Sequence, residues 1–485
     1  MSLVACAMTC SVSGANEEHW YTLEIAGKHA GHMHEVMTDV EGVIRTRVEQ
    51  RMKITRGGID LTITVESDFT ETVDGRPLEL RYVQDMSLQS LDVHYIFGPD
   101  GVTVRTRQGN RERVEQRSLP EPGWLTPAHA QRYWKEQVDA GYTSFDIKVI
   151  SGETGLVPVS MHWEYVGDAV LDPGERRQPM TEWAITSSVI SGVETLALVD
   201  IDGVLVEQRV ALPFGEVVTR LATREEAMRK AEFRGPELMR NTFVQLEETI
   251  HRARASRTSE LKLTVREGEI PLLPSAGSQT VLVQDDTRSL VLLNNISRRQ
   301  PADSEDLEDA SFRRPSAFID SEDPKIILLA RRACRSLEEG EDAYARCAAM
   351  HSFVHRYISS KSLSTGFATA SETAQMQEGD CSEHAVLLAA MIRADGIPSR
   401  CATGLIYAEA FAGSRDIFGW HMWTQALVDG HWIDLDATLP VRFDAVHVLT
   451  STSSMADGTM DRELGSTMML IGNLDIEVLD IGFDP

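Results

Sequence analysis

Three residues in the last third of the sequence have the types and the order that nucleophilic chemistry requires: Cys381, His421 and Asp436. A cysteine attacks a carbonyl carbon as its thiolate, so it needs a base that takes up the thiol proton. A histidine serves as that base when a carboxylate fixes the orientation of its ring. The three residues could therefore carry out acyl transfer, provided that the fold brings their side chains together.

The segment around Cys381 has the pattern of a buried helix. Residues 379–400 read GDCSEHAVLLAAMIRADGIPSR, and the apolar side chains are dense enough to bury most of a helix. The Gly-Ile-Pro at 396–398 is typical of a helix end. Asp380 is the expected N-cap, which places Cys381 in the first turn. Unpaired backbone N–H groups and the helix dipole favour an anion at that position.

The histidine and the aspartate lie on a predicted β-hairpin. Residues 421–437 read as two strands, HMWTQALV and HWIDLDA, around an Asp-Gly turn signal. Antiparallel pairing would place His421 close to Asp436 at the far end of the partner strand. Asp434, two residues earlier, is the alternative acid. His384 follows the cysteine by one helical turn and is predicted to be structural, because its side chain points along the helix.

These blocks resemble the transglutaminase-like, papain-type superfamily domain found in many bacterial proteins. The segments GDCSEHAVLLAAMIRADGIPSRCATGLIY, WHMW and HWIDLDAT occur in the family's order, and the resemblance runs from about residue 325 to about residue 440. It implies that Cys381 is the nucleophile, His421 the general base and acid, and Asp436 the orienting carboxylate. The chain has Ala437 where the family usually has proline after the aspartate, which predicts a less rigid backbone there.

The resemblance also implies an oxyanion hole and a reaction. The backbone N–H of Cys381 would supply one donor, and Gln375 is the candidate for the second, with Gln377, Trp420 and Trp423 as alternatives. The implied reaction is cysteine-dependent acyl transfer at amide bonds. Hydrolysis is favoured over protein crosslinking because water is the default acceptor. The alternative, from another class of function, is a non-catalytic interaction protein that uses the same scaffold as a binding module.

The rest of the chain predicts an α+β protein with several parts. Strand patterns separated by Asp-Gly turn signals indicate a β-rich domain of curved antiparallel sheets at 16–225, with one helix near 126–141. This part resembles curved-sheet envelope domains, though much more loosely. A connecting segment of helix and strand follows at 226–297, and 298–323 has the polar composition of a linker. The transglutaminase-like domain is predicted at 324–485.

Composition limits the partners of the protein. The formal net charge of −27 argues against nucleic acid or anionic lipid as the main partner. The expected partners are a protein or peptide substrate and an envelope protein bound through the β-rich domain. No stretch reaches the roughly 18 to 20 apolar residues that span a bilayer. No cofactor or metal is expected, because His32 and His34 share a strand face without a clear third ligand.

The N-terminus and the cysteines bear on localisation. Residues 1–15 are apolar or small and resemble a truncated signal segment, which predicts a periplasmic or secreted protein. Cys6 follows the pattern of a lipoprotein-processing site, so a lipid anchor is the variant of this hypothesis. The six cysteines form neither a zinc module nor a dense disulfide framework, and only a bridge between Cys334 and Cys347 is conceivable.

Overall fold

A computed structural model describes most of the chain between residues 17 and 483. The ranges outside the description within these limits are 57–58, 87–89, 109–110, 153, 170–178, 189–192, 213–214, 230–238, 284–286, 339, 362–367 and 457–464. The chain divides into two compact units, Met1–Leu238 and Met239–Pro485. The predicted signal segment, 1–15, lies outside the described residues.

The first unit contains a 14-stranded antiparallel sheet. Its strands are β1 (Glu17–Ile25), β2 (Lys28–Val40), β3 (Val43–Arg56), β4 (Ile59–Thr72), β5 (Pro77–Met86), β6 (Ser90–Gly98), β7 (Gly101–Gln108), β8 (Arg111–Arg117), β9 (Ser144–Val149), β10 (Val159–Ala169), β11 (Met180–Ser187), β12 (Glu194–Asp200), β13 (Leu205–Leu212) and β14 (Gly215–Ala222). Two meanders, β1 to β8 and β9 to β14, join where β1 pairs with β14. The predicted β-rich region is therefore present as antiparallel sheet.

Alternating side chains explain why this region forms strands. In β9, for example, Phe145, Ile147 and Val149 are buried and the residues between them are exposed. The predicted helix is present as α1 (Pro127–Asp139), and its Trp134 packs in the core of the unit. At the start of the predicted connecting segment, the described residues contain the short helix α2, Arg224–Ala227.

The second unit contains two smaller sheets and most of the helices. Its strands are β15 (Val244–Gln245), β16 (Ser256–Val265), β17 (Gln279–Val283), β18 (Ser289–Asn295), β19 (Ser399–Phe411), β20 (Ser414–Val428), β21 (His431–Leu435), β22 (His447–Ser453) and β23 (Leu474–Phe483). One sheet has the order β15-β20-β19-β22, with β21 paired to β20, and the other has the order β17-β18-β16-β23.

The helices of the second unit surround one central helix. They are α3 (Ser304–Glu308), α4 (Pro324–Ala333), α5 (Ala343–Tyr357), α6 (Ala370–Met376), α7 (Cys381–Ala394) and α8 (Gly465–Leu470). Helix α7 is buried along nearly its whole length and packs against β20 and against α4, α5 and α6. This packing fixes the position of the N-terminus of α7. None of the helices in the described part of the chain is both long and apolar enough to cross a membrane.

The polar segment 298–323 is part of the second unit. It contains α3 and a short 3-10 helix, Ala310–Phe312, whose Phe312 is buried against Trp432. Asp306 accepts hydrogen bonds from the indole of Trp432 at 2.7 Å and from Arg400 at 2.8 Å. Sequence composition suggested a linker, but one aromatic side chain and one carboxylate attach the segment to β19 and β21.

Candidate active site

The N-terminus of α7 is built by a buried capping box. Asp380 is the N-cap, as predicted, and its carboxylate accepts the N–H of Ser382 at 2.9 Å. Glu383 reaches back and accepts the N–H of Asp380 at 2.8 Å. Gly379 is required beside it, since a Cβ at that position would lie 2.3 Å from the Cβ of Glu383. Together these contacts determine where the helix begins, and so where Cys381 lies.

Glu383 is an unusual member of this box because it is fully buried next to a second carboxylate. Burial and the neighbouring charge of Asp380 raise the pKa of Glu383 to about 8. One proton is therefore retained by this pair at neutral pH. Cys381 follows directly in the first turn and is only half-buried, whereas the rest of the helix up to Arg393 is buried. The thiol is thus the accessible side chain of an otherwise enclosed helix.

His421 and Asp436 form a buried pair beside this thiol. Nε2 of His421 lies 2.9 Å from Oδ2 of Asp436, and their side chains are 8% and 1% exposed. Burial opposes protonation of His421, yet the charge and hydrogen bond of Asp436, together with the adjacent Cys381 side chain, raise its pKa to about 9. With Nε2 turned toward the carboxylate, Nδ1 is the ring nitrogen left for the sulfur. The structure thus brings the three predicted residues together.

The hairpin that carries this pair has the predicted form. β20 and β21 are antiparallel with Thr424 opposite Leu435, so Asp436 follows β21 at a point two residues along β20 from His421. Asp434, the alternative acid, has other partners: it accepts hydrogen bonds from the side chains of Trp423 and Gln425 and from the N–H of Ser278. The acid that contacts His421 is therefore Asp436.

Side chains hold the backbone next to Asp436, where the family's usual proline is replaced by Ala437. His351 on α5 contacts the carbonyl of Asp436 at 2.7 Å, and His355 contacts that of Ala437 at 3.0 Å. Lys361 donates to the carbonyl of Thr438 at 2.8 Å. Three successive carbonyls are thus fixed from outside, which compensates for the rigidity that the proline would have given.

The other predicted residues near Cys381 are less directly engaged. His384 is buried, and its Nδ1 lies 2.6 Å from the carbonyl of Asp380, which agrees with a structural role. The indole N–H groups of Trp420 and Trp423 already donate to the carbonyl of Thr242 and to Asp434, so neither is free to bind an oxyanion. Gln375, the first candidate for that donor, is exposed on α6, and Gln377 is exposed at the end of the same helix.

A second histidine, which the sequence analysis did not select, contacts the same carboxylate. Nε2 of His447 lies 3.3 Å from Oδ2 of Asp436, and its Nδ1 lies 3.0 Å from Oδ1 of Asp444. Burial opposes the ionised form of Asp436, but His421 and His447 hold its pKa well below its ordinary value. The available signal was the Asp-x-x-His spacing before the strand pattern HVLTSTS, which by itself is not specific.

His421, Asp436 and His447 are also the residues that could hold a metal ion. Their ligand atoms lie within 4.8 Å of one another, and all three side chains are buried. A metal bound there would replace the two imidazole hydrogen bonds of Asp436 and would remove His421 from Cys381. Direct imidazole–carboxylate hydrogen bonds account for the observed geometry without a metal.

An arginine-rich cavity lies next to the segment that carries Asp436 in the second unit. It has a volume of about 600 Å³ and is lined by Arg257, Arg298, Arg299 and Arg442. Asp434 is the only acid among the described lining residues, and its oxygens already accept three hydrogen bonds. Leu435, which precedes Asp436, and Phe443, which stacks on His447 with ring centroids 4.0 Å apart, line the same space.

Other residues noted in the sequence lie away from this site. Cys334, Cys347 and Cys401 are not disulfide-bonded, so Cys334 and Cys347 form no bridge with each other in this structure. His34 stacks on Trp20 in the first unit, with ring centroids 3.8 Å apart.

A half-buried cysteine at a helix N-terminus beside a histidine–carboxylate pair is an arrangement that can activate a thiol as a nucleophile, as in cysteine-protease-like sites. Residues 331–437 match the family model of the transglutaminase-like superfamily, so this part of the chain is a transglutaminase-like domain. The match ends one residue after Asp436 and does not include His447 or Asp444. No curated protein matches the chain.

Solved structures show only distant similarity. A provisionally assigned cysteine protease from Cytophaga hutchinsonii is 17% identical, covers 47% of this chain and 90% of its own, and has a TM-score of 0.30. A β-barrel-like protein with a domain of unknown function from Brucella abortus is 10% identical, with coverages of 44% and 98% and a TM-score of 0.35. A provisionally assigned protease from Parabacteroides distasonis is 10% identical, with coverages of 78% and 68% and a TM-score of 0.21.

The buried Asp380–Glu383 pair predicts a pH-dependent stability. Below pH 4.5 Glu383 is protonated in the folded and unfolded chain, whereas between pH 4.5 and about pH 8 only the folded chain retains the proton. The free energy of unfolding should therefore fall as the pH rises through this range. Asp380→Asn keeps the cap geometry and removes the neighbouring charge, which lowers the pKa of Glu383. Each unit of that decrease should restore about 1.4 kcal/mol at pH 8.

Chemical denaturation of wild type and Asp380→Asn at pH 5 and pH 8 measures this effect. Asp342→Asn is the matched control, because Asp342 caps α5 in the same way and is exposed. An equal change in the pH dependence of both variants would contradict the assignment to the Asp380–Glu383 pair.

Proposed function

We propose that the protein is a cysteine-dependent acyl-transfer enzyme that acts on amide bonds, with Cys381, His421 and Asp436 as its catalytic triad. The observation that carries this proposal is the buried 2.9 Å contact between His421 and Asp436 beside an accessible thiol at the start of α7. The transglutaminase-like match over 331–437 supports it independently of the geometry.

The first half of the reaction follows from the positions of these groups. The thiol proton of Cys381 passes to Nδ1 of His421, and the imidazolium is stabilised by the carboxylate of Asp436. The thiolate attacks the amide carbonyl, and the resulting oxyanion is met by the backbone N–H of Cys381, which has no intrahelical partner in the first turn. His421 then donates its proton to the leaving amine, the C–N bond breaks, and a thioester remains on Cys381.

The second half regenerates the enzyme. His421, now neutral, takes a proton from water as the water oxygen attacks the thioester carbonyl. Collapse of the second tetrahedral intermediate releases the carboxylic acid, and Cys381 leaves as the thiolate beside the imidazolium. We favour peptide or isopeptide hydrolysis over crosslinking, because the residues around Cys381 include no group that would select an amine over water in the described part of the chain.

The arginine-rich cavity supports a proposal about the substrate. Within the described residues, Arg298, Arg299 and Arg442 form no ion pair with a carboxylate, although acids outnumber bases by 74 to 47 in the whole chain. Guanidinium groups in such a space favour carboxylates of a bound chain. Because the cavity is next to Asp436, we propose that it receives acidic side chains that flank the amide to be cleaved.

Removal of the nucleophile or the orienting acid should abolish the reaction. Cys381→Ala should reduce amide cleavage to background, and Asp436→Asn should lower kcat/KM by roughly 10²- to 10⁴-fold, the usual contribution of acid–base catalysis. A quenched fluorescent peptide library measures both variants. Cys334→Ala is the matched control, because Cys334 is a partly exposed thiol away from the site. Cleavage by Cys381→Ala at the wild-type rate would contradict the role of Cys381 as the nucleophile, whereas the absence of cleavage in the wild type would favour the binding-module alternative.

The fate of the thioester distinguishes hydrolysis from crosslinking. In the presence of a fluorescent primary amine at millimolar concentration, mass spectrometry should find mainly the free carboxylate product and little amine adduct. If the adduct predominates at an amine concentration far below that of water, the enzyme is a transamidase.

The cavity proposal predicts a preference for acidic substrates. A cleavable peptide with flanking glutamates should be processed with a higher kcat/KM than its glutamine counterpart, and Arg298→Gln combined with Arg442→Gln should remove the difference. Each partly exposed ion pair contributes about 0.2–1 kcal/mol, so the expected preference is several-fold and decreases with salt. Arg331→Gln on the exposed face of α4 is the control. An unchanged preference in the double variant would contradict this use of the cavity.

A further inference from the structure

His447 contacts Asp436 next to His421, in a fully enclosed position. Its side chain is 2% exposed, and its ring centroid is 5.9 Å from that of His421. Both histidines contact the same oxygen of Asp436, Oδ2, at 2.9 Å and 3.3 Å. Oδ1, the other oxygen, accepts the N–H of Thr438 at 2.9 Å. The orienting acid is therefore shared between two imidazoles.

The second ring nitrogen of His447 also meets an acid. Nδ1 lies 3.0 Å from Oδ1 of Asp444, whose carboxylate is fully buried and pairs with Arg254 at 2.6 Å. A neutral imidazole has one N–H and one lone pair, and here the lone pair would face a carboxylate oxygen. Only the imidazolium can donate to both acids. Burial opposes this charge, but Asp444 and Asp436 raise the pKa of His447 to about 9.

The surrounding sheets hold this ring and its acid in place. Asn294 on β18 donates to the backbone carbonyls of His447 at 2.9 Å and of Ala445 at 3.2 Å. The hydroxyl of Ser256 at the start of β16 accepts the N–H of Ala445 at 3.1 Å. Phe443 stacks on the imidazole. The ring is thus fixed by packing and by hydrogen bonds from two strands of the second sheet.

We propose that His447, held by Asp444, is a positioning residue that fixes Asp436 and limits the basicity of His421. This inference rests on the proposed function. The proposed triad would then be part of a row of alternating charges. In order, its members are the Cys381 thiolate, the His421 imidazolium, the Asp436 carboxylate, the His447 imidazolium, the Asp444 carboxylate and the Arg254 guanidinium. With only His421 as its partner, Asp436 would stabilise that imidazolium more strongly and make it a weaker acid toward the leaving amine. The permanent charge of His447 offsets part of this effect.

The charged and titratable groups around His447 set the direction of the test. They are His421 on β20, Asp436 after β21, Asp444 before β22, and Arg254 on the 3-10 helix Ala253–Ala255 behind Asp444. His351 reaches the backbone of Asp436 rather than its carboxylate. Loss of the His447 charge removes a repulsion on the His421 imidazolium and leaves Asp436 less neutralised. Both changes raise the pKa of His421.

His447→Gln tests the proposal, because glutamine keeps a neutral donor for Asp436. The basic limb of the pH profile of kcat/KM should move to higher pH. The maximum of the profile should fall roughly 10- to 100-fold, the range observed for groups that orient metal ligands in other proteins. Asp444→Asn, which keeps an acceptor for Nδ1, should move the limb in the same direction by less. His431→Gln, at the first residue of β21, should leave profile and rate unchanged, because its Nδ1 contacts the carbonyl of Asp429 and not the site.

A second measurement does not depend on catalysis. Nitrogen NMR shifts of the imidazoles, with the His447 signal assigned by its loss in His447→Gln, should show both nitrogens protonated through pH 8 in the wild type. In Asp444→Asn the same ring should lose a proton at lower pH. Deprotonation of His447 near pH 6.5 in the wild type would overturn the proposal, whatever the activity. A rate loss in His447→Gln without movement of the basic limb would reduce the role to structural support.

The two proposals can fail separately. If Cys381→Ala leaves amide cleavage unchanged, the proposed function fails, while the NMR result still decides the protonation of His447. If the triad variants behave as expected and the His447 signal titrates near neutral pH, the enzyme stands and the positioning role falls.

Discussion

The second unit depends on one buried carboxylate that contacts two imidazole rings. Asp436 is 1% exposed, and an isolated charge at such a depth would be strongly unfavourable. Contacts with His421 and His447 make it stable, and they also fix its orientation. Removal of either ring would leave an underpaired charge in the core. The need to pair this charge therefore constrains three segments that are distant in the sequence.

Each of these segments is held by a different part of the fold. Helix α7 is fixed by its apolar sides, and Thr424 on β20 donates to the carbonyl of Ala385 at 2.9 Å, which ties the central helix to the strand that carries His421. Three side chains from α5 and the following loop hold the backbone from Asp436 to Thr438. The second sheet holds His447. The geometry of the candidate site is thus determined by helix packing on one side and sheet contacts on the other.

Local sequence patterns were sufficient to predict Cys381, His421 and Asp436. Helical spacing and an Asp cap located Cys381, and a hairpin with a two-residue turn located His421 against Asp436, because both patterns act over short stretches of chain. The position of His447 and of its partner Asp444 depends on contacts between segments that are distant in the sequence. Arg254 reaches Asp444 across 190 residues, and Asn294 reaches His447 across 153. No local periodicity encodes such pairs, and the family match ends before residue 444.

The predicted linker at 298–323 is a second case in which contacts with distant residues cannot be predicted from the local sequence. Its composition is polar, and composition alone favours an exposed segment. One buried aromatic ring, Phe312, and one carboxylate, Asp306, nevertheless attach it to the sheet. These two side chains hold the segment on the sheet despite its polar composition, because Phe312 packs on Trp432 and Asp306 accepts hydrogen bonds from Trp432 and Arg400. The composition of the segment does not reveal these partners.

The charges at the start of α7 bear on the first member of the row of alternating charges, the proposed thiolate of Cys381. A helix N-terminus stabilises one negative charge well, and the proposed chemistry needs that charge on Cys381. Asp380 already places a carboxylate in the same turn, and an ionised Glu383 would add another. The proton that Glu383 retains keeps this second negative charge out of the helix start. Protonation of one buried acid at the helix start and ionisation of another at the end of β21 are therefore parts of a single electrostatic arrangement.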